Sequence, residues 1–325
     1  MTAERRRPRS AGPWTPRDVP DLTGRTFAVT GGNAGIGYFS CEHLAGAGAA
    51  VVLLARDPGR ADAAAAALRE RVRGADVVTV PLDLADLESV ASAAAALVRI
   101  GRLDGLIHNA AVVHPGRARR TTRQGFELAV GTNHLGHFAL TALAWPALAA
   151  TRGSRVVPVG SVITRRTAFG PDDVDDLMSE RSYRGKRAYA RSKHAVQCFG
   201  FELDRRLRAA AADVHAVVAH PGLGLDAASP LRAGVNEPSP AARAAAGLLA
   251  PVAQGKHRGA WAAVRAATDP EAVGGRYYGP SRGGTGLPVA KRPPTADTDP
   301  LRGARLWTLS ERLTGVAFPL PAHPG

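Results

Sequence analysis

Residues 25–37 read Arg-Thr-Phe-Ala-Val-Thr-Gly-Gly-Asn-Ala-Gly-Ile-Gly. An apolar run of strand length, 25–30, breaks into a glycine-rich turn, and a helical stretch follows to about Ala45. Glycine is needed where a backbone turns sharply or lets a ligand come close. The helix behind such a turn offers its first amides and the positive end of its dipole to an anion. A glycine triplet alone is a weak signal. A strand before it and a helix after it make the turn a diphosphate-binding candidate.

The same alternation runs on from this stretch. Residues 50–55, 77–81, 103–109, 154–160 and 214–220 read as further strands, and 275–279 as a seventh. Pro158 counts against the fifth. Residues 61–73, 87–99, 124–150, 186–211, 259–267 and 302–312 read as helices, with Pro146 expected to kink or end the third. Continuous apolar strands alternating with helices predict an α/β fold. It is a doubly wound, mainly parallel sheet (a Rossmann fold) of about seven strands with helices on both faces. Ligands in such folds bind beyond the carboxyl ends of the strands. The chain divides into a disordered basic arm over 1–21, one Rossmann catalytic domain over 22–285, and an extension over 286–325 with one helix packed on the domain.

Composition narrows the function classes. Of 325 residues, 45% are hydrophobic but only 5% aromatic, so Ala, Val and Leu must build the core. The net charge is +14, yet only four of the 42 basic residues are lysine, and the arginines are spread along the chain. The clusters Arg5, Arg6, Arg7, Arg9 and Arg117, Arg119, Arg120, Arg123 lack interleaved aromatics, which argues against nucleic acid as a partner. Cys41 and Cys198 lie in helical stretches without metal-ligand spacing, which predicts buried reduced thiols and a cytoplasmic setting. No stretch approaches the ~20 apolar residues of a membrane span, and the Arg- and Pro-rich start has no apolar core for a secretory signal. His134 and His137, three apart with no acidic partner at ligand spacing, are expected to pack rather than bind a metal.

Two further segments carry chemistry. The second strand ends Leu54-Ala55-Arg56-Asp57. An acid there would bind adenosine ribose hydroxyls, whereas a base accommodates a 2′-phosphate, which a guanidinium grips bidentately. Arg56 therefore favours NADP(H) over NAD(H), with Asp57 turned elsewhere. Tyr189-Ala190-Arg191-Ser192-Lys193 puts a phenol and an ammonium one helical turn apart on one face. A phenol has a pKa near 10, and a nearby ammonium favours its ionised form. Ser161, at the end of the fifth strand, precedes this pair by 28 residues.

These motifs together resemble the short-chain dehydrogenase/reductase family over about Leu22 to Phe318: T-G-x-x-x-G-x-G at 30–37, N-A-A at 109–111, Ser161 and Y-x-x-x-K at 189–193. N-H-L-G-H-F at 133–138, S-E-R-S-Y at 179–183 and G-G-R-Y-Y-G-P at 274–280 narrow the resemblance to the retinol dehydrogenase-like branch. The resemblance implies interconversion of an alcohol with an aldehyde or ketone by hydride transfer. It makes Tyr189 the acid/base, Lys193 its activator and the holder of the nicotinamide ribose, Ser161 the polariser of the substrate oxygen, and Asn133 the support of a water relay. It lines the cofactor with Gly31, Asn33, Gly35, Ile36 and Gly37, with Arg56, with Asp83 and Leu84 at the adenine, with Asn109 and Ala110, with Tyr189 and Lys193, and with Pro221 and Gly222.

Three departures stand out. Gly160 precedes Ser161 where relatives often carry Ser, Ala111 replaces a Gly, and Leu223-Gly224-Leu225-Asp226 lacks the Thr that usually follows Pro221-Gly222. They leave open a catalytically silent NADP-binding regulator, and the scaffold alone leaves open a reductase of another C=C or C=N substrate. The Ala/Leu/Pro-rich segment 223–240 suggests a small, apolar carbonyl or alcohol substrate. A homodimer or homotetramer is the family's expectation.

Overall fold

The computed structural model describes residues 14–320. Six parallel strands form the central sheet: β1 (Thr26–Thr30), β2 (Ala50–Ala55), β3 (Val77–Pro81), β4 (Gly105–His108), β5 (Ser154–Pro158) and β6 (Val214–Ala216), in the order β3-β2-β1-β4-β5-β6. Beyond β6, β7 (Val218–Ala219) pairs parallel with β8 (Tyr277–Pro280), which pairs antiparallel with β9 (Pro288–Ala290). The order reverses between β1 and β4, so the crevice at the strand ends opens there.

β1 shows why the sheet is covered on both faces. All five of its residues are buried, and with a period of two they divide between the layers. Phe27 and Val29 join one core with Leu53, Tyr38, Leu44 and Leu68. Ala28 joins the other with Val52, Leu54, Val90, Phe138 and Leu203. The first layer is built by α1 (Gly35–Gly46) and α2 (Pro58–Arg71), the second by α3 (Leu87–Ile100), α4 (Gly136–Leu143) and α5 (Gly185–Ala209). Later come α6 (Lys256–Thr268), against α1, and α7 (Pro300–Thr314), against α5. Trp307 and Phe318 enter the second core, stacking and edging against Phe138 and Phe199. Local chemistry starts the helices: the Asp57 carboxylate accepts the Arg60 amide ahead of α2, and Asp86 accepts that of Glu88 ahead of α3. Among the described residues, no helix is long and apolar enough to cross a membrane.

Two expectations need correction. The long helix expected over 124–150 is broken into a short turn at Leu128–Val130, a π turn at Gly131–Leu135, α4, and a separate helix Trp145–Ala149. Of the two effects expected of Pro146, kinking or ending the helix, the second is seen: the rod stops at Leu143, and Pro146 sits in the first turn of the next piece, where its missing N–H costs nothing. Of the arm expected over 1–21, residues 1–13 lie outside the described residues, but the remainder is ordered. Trp14 is buried, and Thr15 and Asp18 cap a 3-10 turn at Pro16–Asp18. An apolar indole inside a basic segment gives it a reason to pack. Pro158 is tolerated as the last residue of β5, where the ladder passes to the Val159 amide donating to His108.

Three histidines sit inside the second layer. His108 stacks on His137 at 4.6 Å. His137 Nδ1 donates to the Asn133 carbonyl at 2.9 Å, so its Nε2 accepts from Thr30 Oγ1 at 2.8 Å. His134 Nε2 pairs with Ser310 Oγ at 2.7 Å. Burial lowers the pKa of His134 and His137 to about 3 and that of His108 well below its usual value. Between about pH 3 and 6.5 the unfolded chain therefore binds protons that the folded one refuses, so stability falls as pH drops through that window. Urea unfolding at pH 7, 6, 5 and 4 should show a steadily decreasing free energy of unfolding, and a midpoint constant over this range would refute the neutral, buried state of these rings.

Candidate active site

A cleft of about 1330 Å³ opens at the carboxyl ends of the strands. Its floor is the turn between β1 and α1. Gly31 (φ +66°) and Gly35 (φ +54°) lie in the left-handed region that favours glycine. α1 begins at Ala34 without a side-chain cap, which leaves its first amides free for a ligand. Gly37 lies beneath the cleft: a Cβ there would stand 2.2 Å from the Gly31 carbonyl oxygen and 2.4 Å from Asn109 Nδ2. Glycine is thus required at this third position for packing and at the other two for backbone shape.

Almost every residue expected in the site lines this cleft: Asn33 and Ile36 with the turn, Arg56, Asp83 and Leu84 beyond β2 and β3, Asn109 and Ala110 beyond β4, then Ser161, Tyr189, Lys193, Pro221 and Gly222. Arg56 is exposed and makes no ion pair or side-chain hydrogen bond within the described residues. Asp57 is occupied as the cap of α2. The Asp83 carboxylate accepts the Ala85 amide at 2.9 Å through Oδ1. Asn109 Nδ2 donates to the Thr30 carbonyl, and the Ala110 amide donates to Thr30 Oγ1, both at 3.0 Å.

Asn133 and Gly37 are the expected site residues that do not reach the cleft surface. Asn133 is buried in the π turn. Its Oδ1 accepts the Val112 amide at 2.7 Å, and its Nδ2 donates to the Val112 carbonyl at 3.2 Å and to Ser192 Oγ at 2.9 Å. Ser192 in turn donates to the Tyr189 carbonyl at 2.7 Å. The asparagine therefore ties the strand-end loop to the helix that carries the phenol. On that helix the buried Lys193 ammonium donates to the Val159 carbonyl at 2.8 Å, and burial lowers its pKa to about 8. Burial also raises the Tyr189 phenol, while the Ser161 hydroxyl pulls it back down. Ser161 thus stands as the phenol's hydroxyl neighbour, while the Lys193 ammonium is anchored on the Val159 carbonyl. The wall beside these groups includes Val113, Ile163, Leu223 and Val235. The set offers a proton donor, a hydroxyl beside it and a buried cation, next to a floor built for an anionic ligand.

The chain matches the family model for short chain dehydrogenases over residues 25–171. It is 36% identical to polyprenol dehydrogenase of Mus musculus over 315 residues, 95% of this chain and 89% of the relative. It is 34% identical to retinol dehydrogenase 14 of Homo sapiens over 316 residues, 91% and 88% of the two chains. Among solved structures it resembles an uncharacterized protein from Mycobacterium paratuberculosis, with a TM-score of 0.76, 33% identity, and 95% of this chain and 100% of that one covered.

Behind the serine lies a buried cluster that sequence reading missed. A Cβ on Gly160 would stand 2.3 Å from Gln197 Oε1 and 2.7 Å from its Cδ. Gln197 cannot simply swing away: its Nε2 donates to Thr164 Oγ1 at 2.8 Å and to Asp297 Oδ2 at 2.5 Å. Asp297 also pairs with His194 Nδ1, and His194 Nε2 with Thr167 Oγ1 at 3.0 Å. The bare backbone at 160 and the long amide at 197 are thus one packing solution. A signal was available, because 189, 193 and 197 share a helix face. Gly160→Ser should destabilise the fold by about 1–3 kcal/mol, and Gln197→Ala in the same chain should recover part of that loss. Denaturant unfolding of the single and double variants checks this; strictly additive losses would break the link.

Proposed function

The chain belongs to the short-chain dehydrogenase/reductase family, in its retinol dehydrogenase-like branch, and on that premise we propose that it is an NADP(H)-dependent oxidoreductase interconverting an alcohol with an aldehyde or ketone, with Tyr189 as acid/base. Members of the family are NAD(P)-dependent oxidoreductases acting on CH–OH donors. The observation that carries the finer reading is the convergence of Ser161, Tyr189 and Lys193 on a cleft floored by an uncapped glycine turn.

That floor fits a dinucleotide, since three glycines add no side chains of their own to it and the amides at the start of α1 await an anion. Gly31, Gly35 and Ile36 would hold the diphosphate, Asp83 the adenine side, and Arg56 a 2′-phosphate. When bound, the nicotinamide would supply or accept the hydride. The rest is done by side chains of this chain. The Ser161 hydroxyl donates to the substrate oxygen, an oxyanion-type contact. Tyr189, kept protonated by burial at neutral pH, delivers its proton to that oxygen in reduction and takes it back in oxidation. The Lys193 ammonium, one turn away and still charged at pH 7, favours the phenolate left behind. The apolar side chains lining the cleft, Leu223 and Val235 from the segment after β7 among them, support an apolar substrate. Two free, buried cysteines fit a reducing compartment such as the cytoplasm. Assembly as a homodimer or homotetramer belongs to the same reading.

NADPH consumption with a panel of aldehydes and ketones tests the activity. Tyr189→Phe should bind NADPH as the wild type does and lose at least about a hundredfold in turnover, and retained turnover would remove the phenol from the mechanism. Arg56→Ala should raise KM for NADPH by about tenfold or more while sparing NADH, and equal effects on the two cofactors would remove the assignment of Arg56 to the 2′-phosphate.

A further inference from the structure

Lys256, one of four lysines in the chain, crosses the floor of the cleft. The two-residue strands Gly224–Leu225 and Gln254–Gly255 pair in parallel, so Asp226 and Lys256 are the next residues along each. The Lys256 amide donates to the buried Ser229 hydroxyl at 2.7 Å, and Ser229 Oγ donates to the Leu225 carbonyl at 2.8 Å, which fixes the base of the side chain. Its stem then lies over two glycines. A Cβ on Gly224 would stand 3.2 Å from Lys256 Cγ, and one on Gly35 would stand 3.1 Å from Cδ and 3.2 Å from Nζ. The ammonium therefore rests at the first residue of α1.

That position is electrostatically unusual. The start of a helix carries positive partial charge and attracts anions. Here its amides lack a side-chain cap, and a cation is held beside them. Two positive features facing one space repel each other unless an anion stands between or beside them. Asp226 is that anion in this structure, its Oδ2 2.6 Å from Nζ. It is a loose partner, about half exposed, whereas Lys256 is 27% exposed and confined by its stem. A diphosphate on the glycine turn would meet both the amides and the ammonium, and it carries more charge than one carboxylate.

We infer that Lys256 is a diphosphate-binding residue of the cofactor site, held ready by Asp226, and that cofactor binding exchanges the Asp226 carboxylate for the diphosphate. The inference rests on the dinucleotide reading above but adds to it a cation and a competing anion. It also accounts for a site that works without a hydroxyl side chain at 223–226, since the ammonium supplies the polar contact from across the cleft.

Because the diphosphate is common to both cofactors, the effect should not discriminate between them. Dissociation constants for NADPH and NADH, read by quenching of protein fluorescence at fixed ionic strength, should rise by a common factor of about ten in Lys256→Met. Asp226→Asn should lower both by about threefold. In the Lys256→Met background the Asp226→Asn gain should vanish, because without the ammonium the Asp226 carboxylate blocks nothing that its removal could free. An unchanged affinity in Lys256→Met, a loss confined to NADPH, or a persistent Asp226→Asn gain in the double variant would each overturn the exchange while leaving the enzyme reading intact. A wild-type protein that binds neither dinucleotide would overturn both.

Discussion

The Gly31–Gly37 approach controls everything above it. No side chain fits at Gly37, where a Cβ would lie 2.2 Å from the Gly31 carbonyl oxygen. Because α1 presses this closely on the end of β1, its free amides face the crevice. The same approach brings Asn109 against Thr30 and Gly31. Thr30 in turn accepts the Ala110 amide and donates to His137, and His137 reaches the Asn133 carbonyl. A continuous chain of buried polar contacts thus runs from the glycine turn to the π turn and, through Ser192, to the helix of Tyr189. Such networks are rigid when fully satisfied and costly when broken.

A second network anchors the opposite wall. Asp297, entirely buried, joins His194 and Gln197 of α5 to the segment that follows the serine. α7 then closes over the same helix, placing Trp307 in the core. The end of the described chain is therefore part of what shapes the serine turn, since removing Asp297 would leave two buried polar side chains without their acceptor.

Charge is graded through the cleft. Lys193 sits deep and paired only with a carbonyl, Lys256 sits at the glycine turn paired with a half-exposed acid, and Arg56 stands free at the rim. Within a chain of net charge +14, these three cations share one cleft with Arg60 and Arg166. They stand beside a floor already built for an anion, which is the electrostatic pattern expected of an anionic cofactor's site.

Local rules made much of this readable in advance. The strand–glycine–helix start at 25–37, the apolar alternation and the i, i+4 pair at Tyr189 and Lys193 each depend on neighbours close in sequence, so their geometry follows from backbone chemistry. The break of 124–150 did not: a π turn intervenes at Gly131–Leu135, where a Cβ on Gly131 would collide with the Thr122 side chain, and no periodicity along the chain marks it. Nor did the fit of Gly160 to Gln197, the pairing of Asp297 with His194, or the arrival of Lys256 over Gly35. These join positions from 37 to more than two hundred residues apart, and no pattern along the chain records them. The sequence determined that a parallel α/β sheet with a glycine-turned crevice and a Ser-Tyr-Lys set would form. Tertiary packing alone decided which buried polar groups found partners and which cation came to rest on the crevice floor, since both depend on distances that only the folded chain creates.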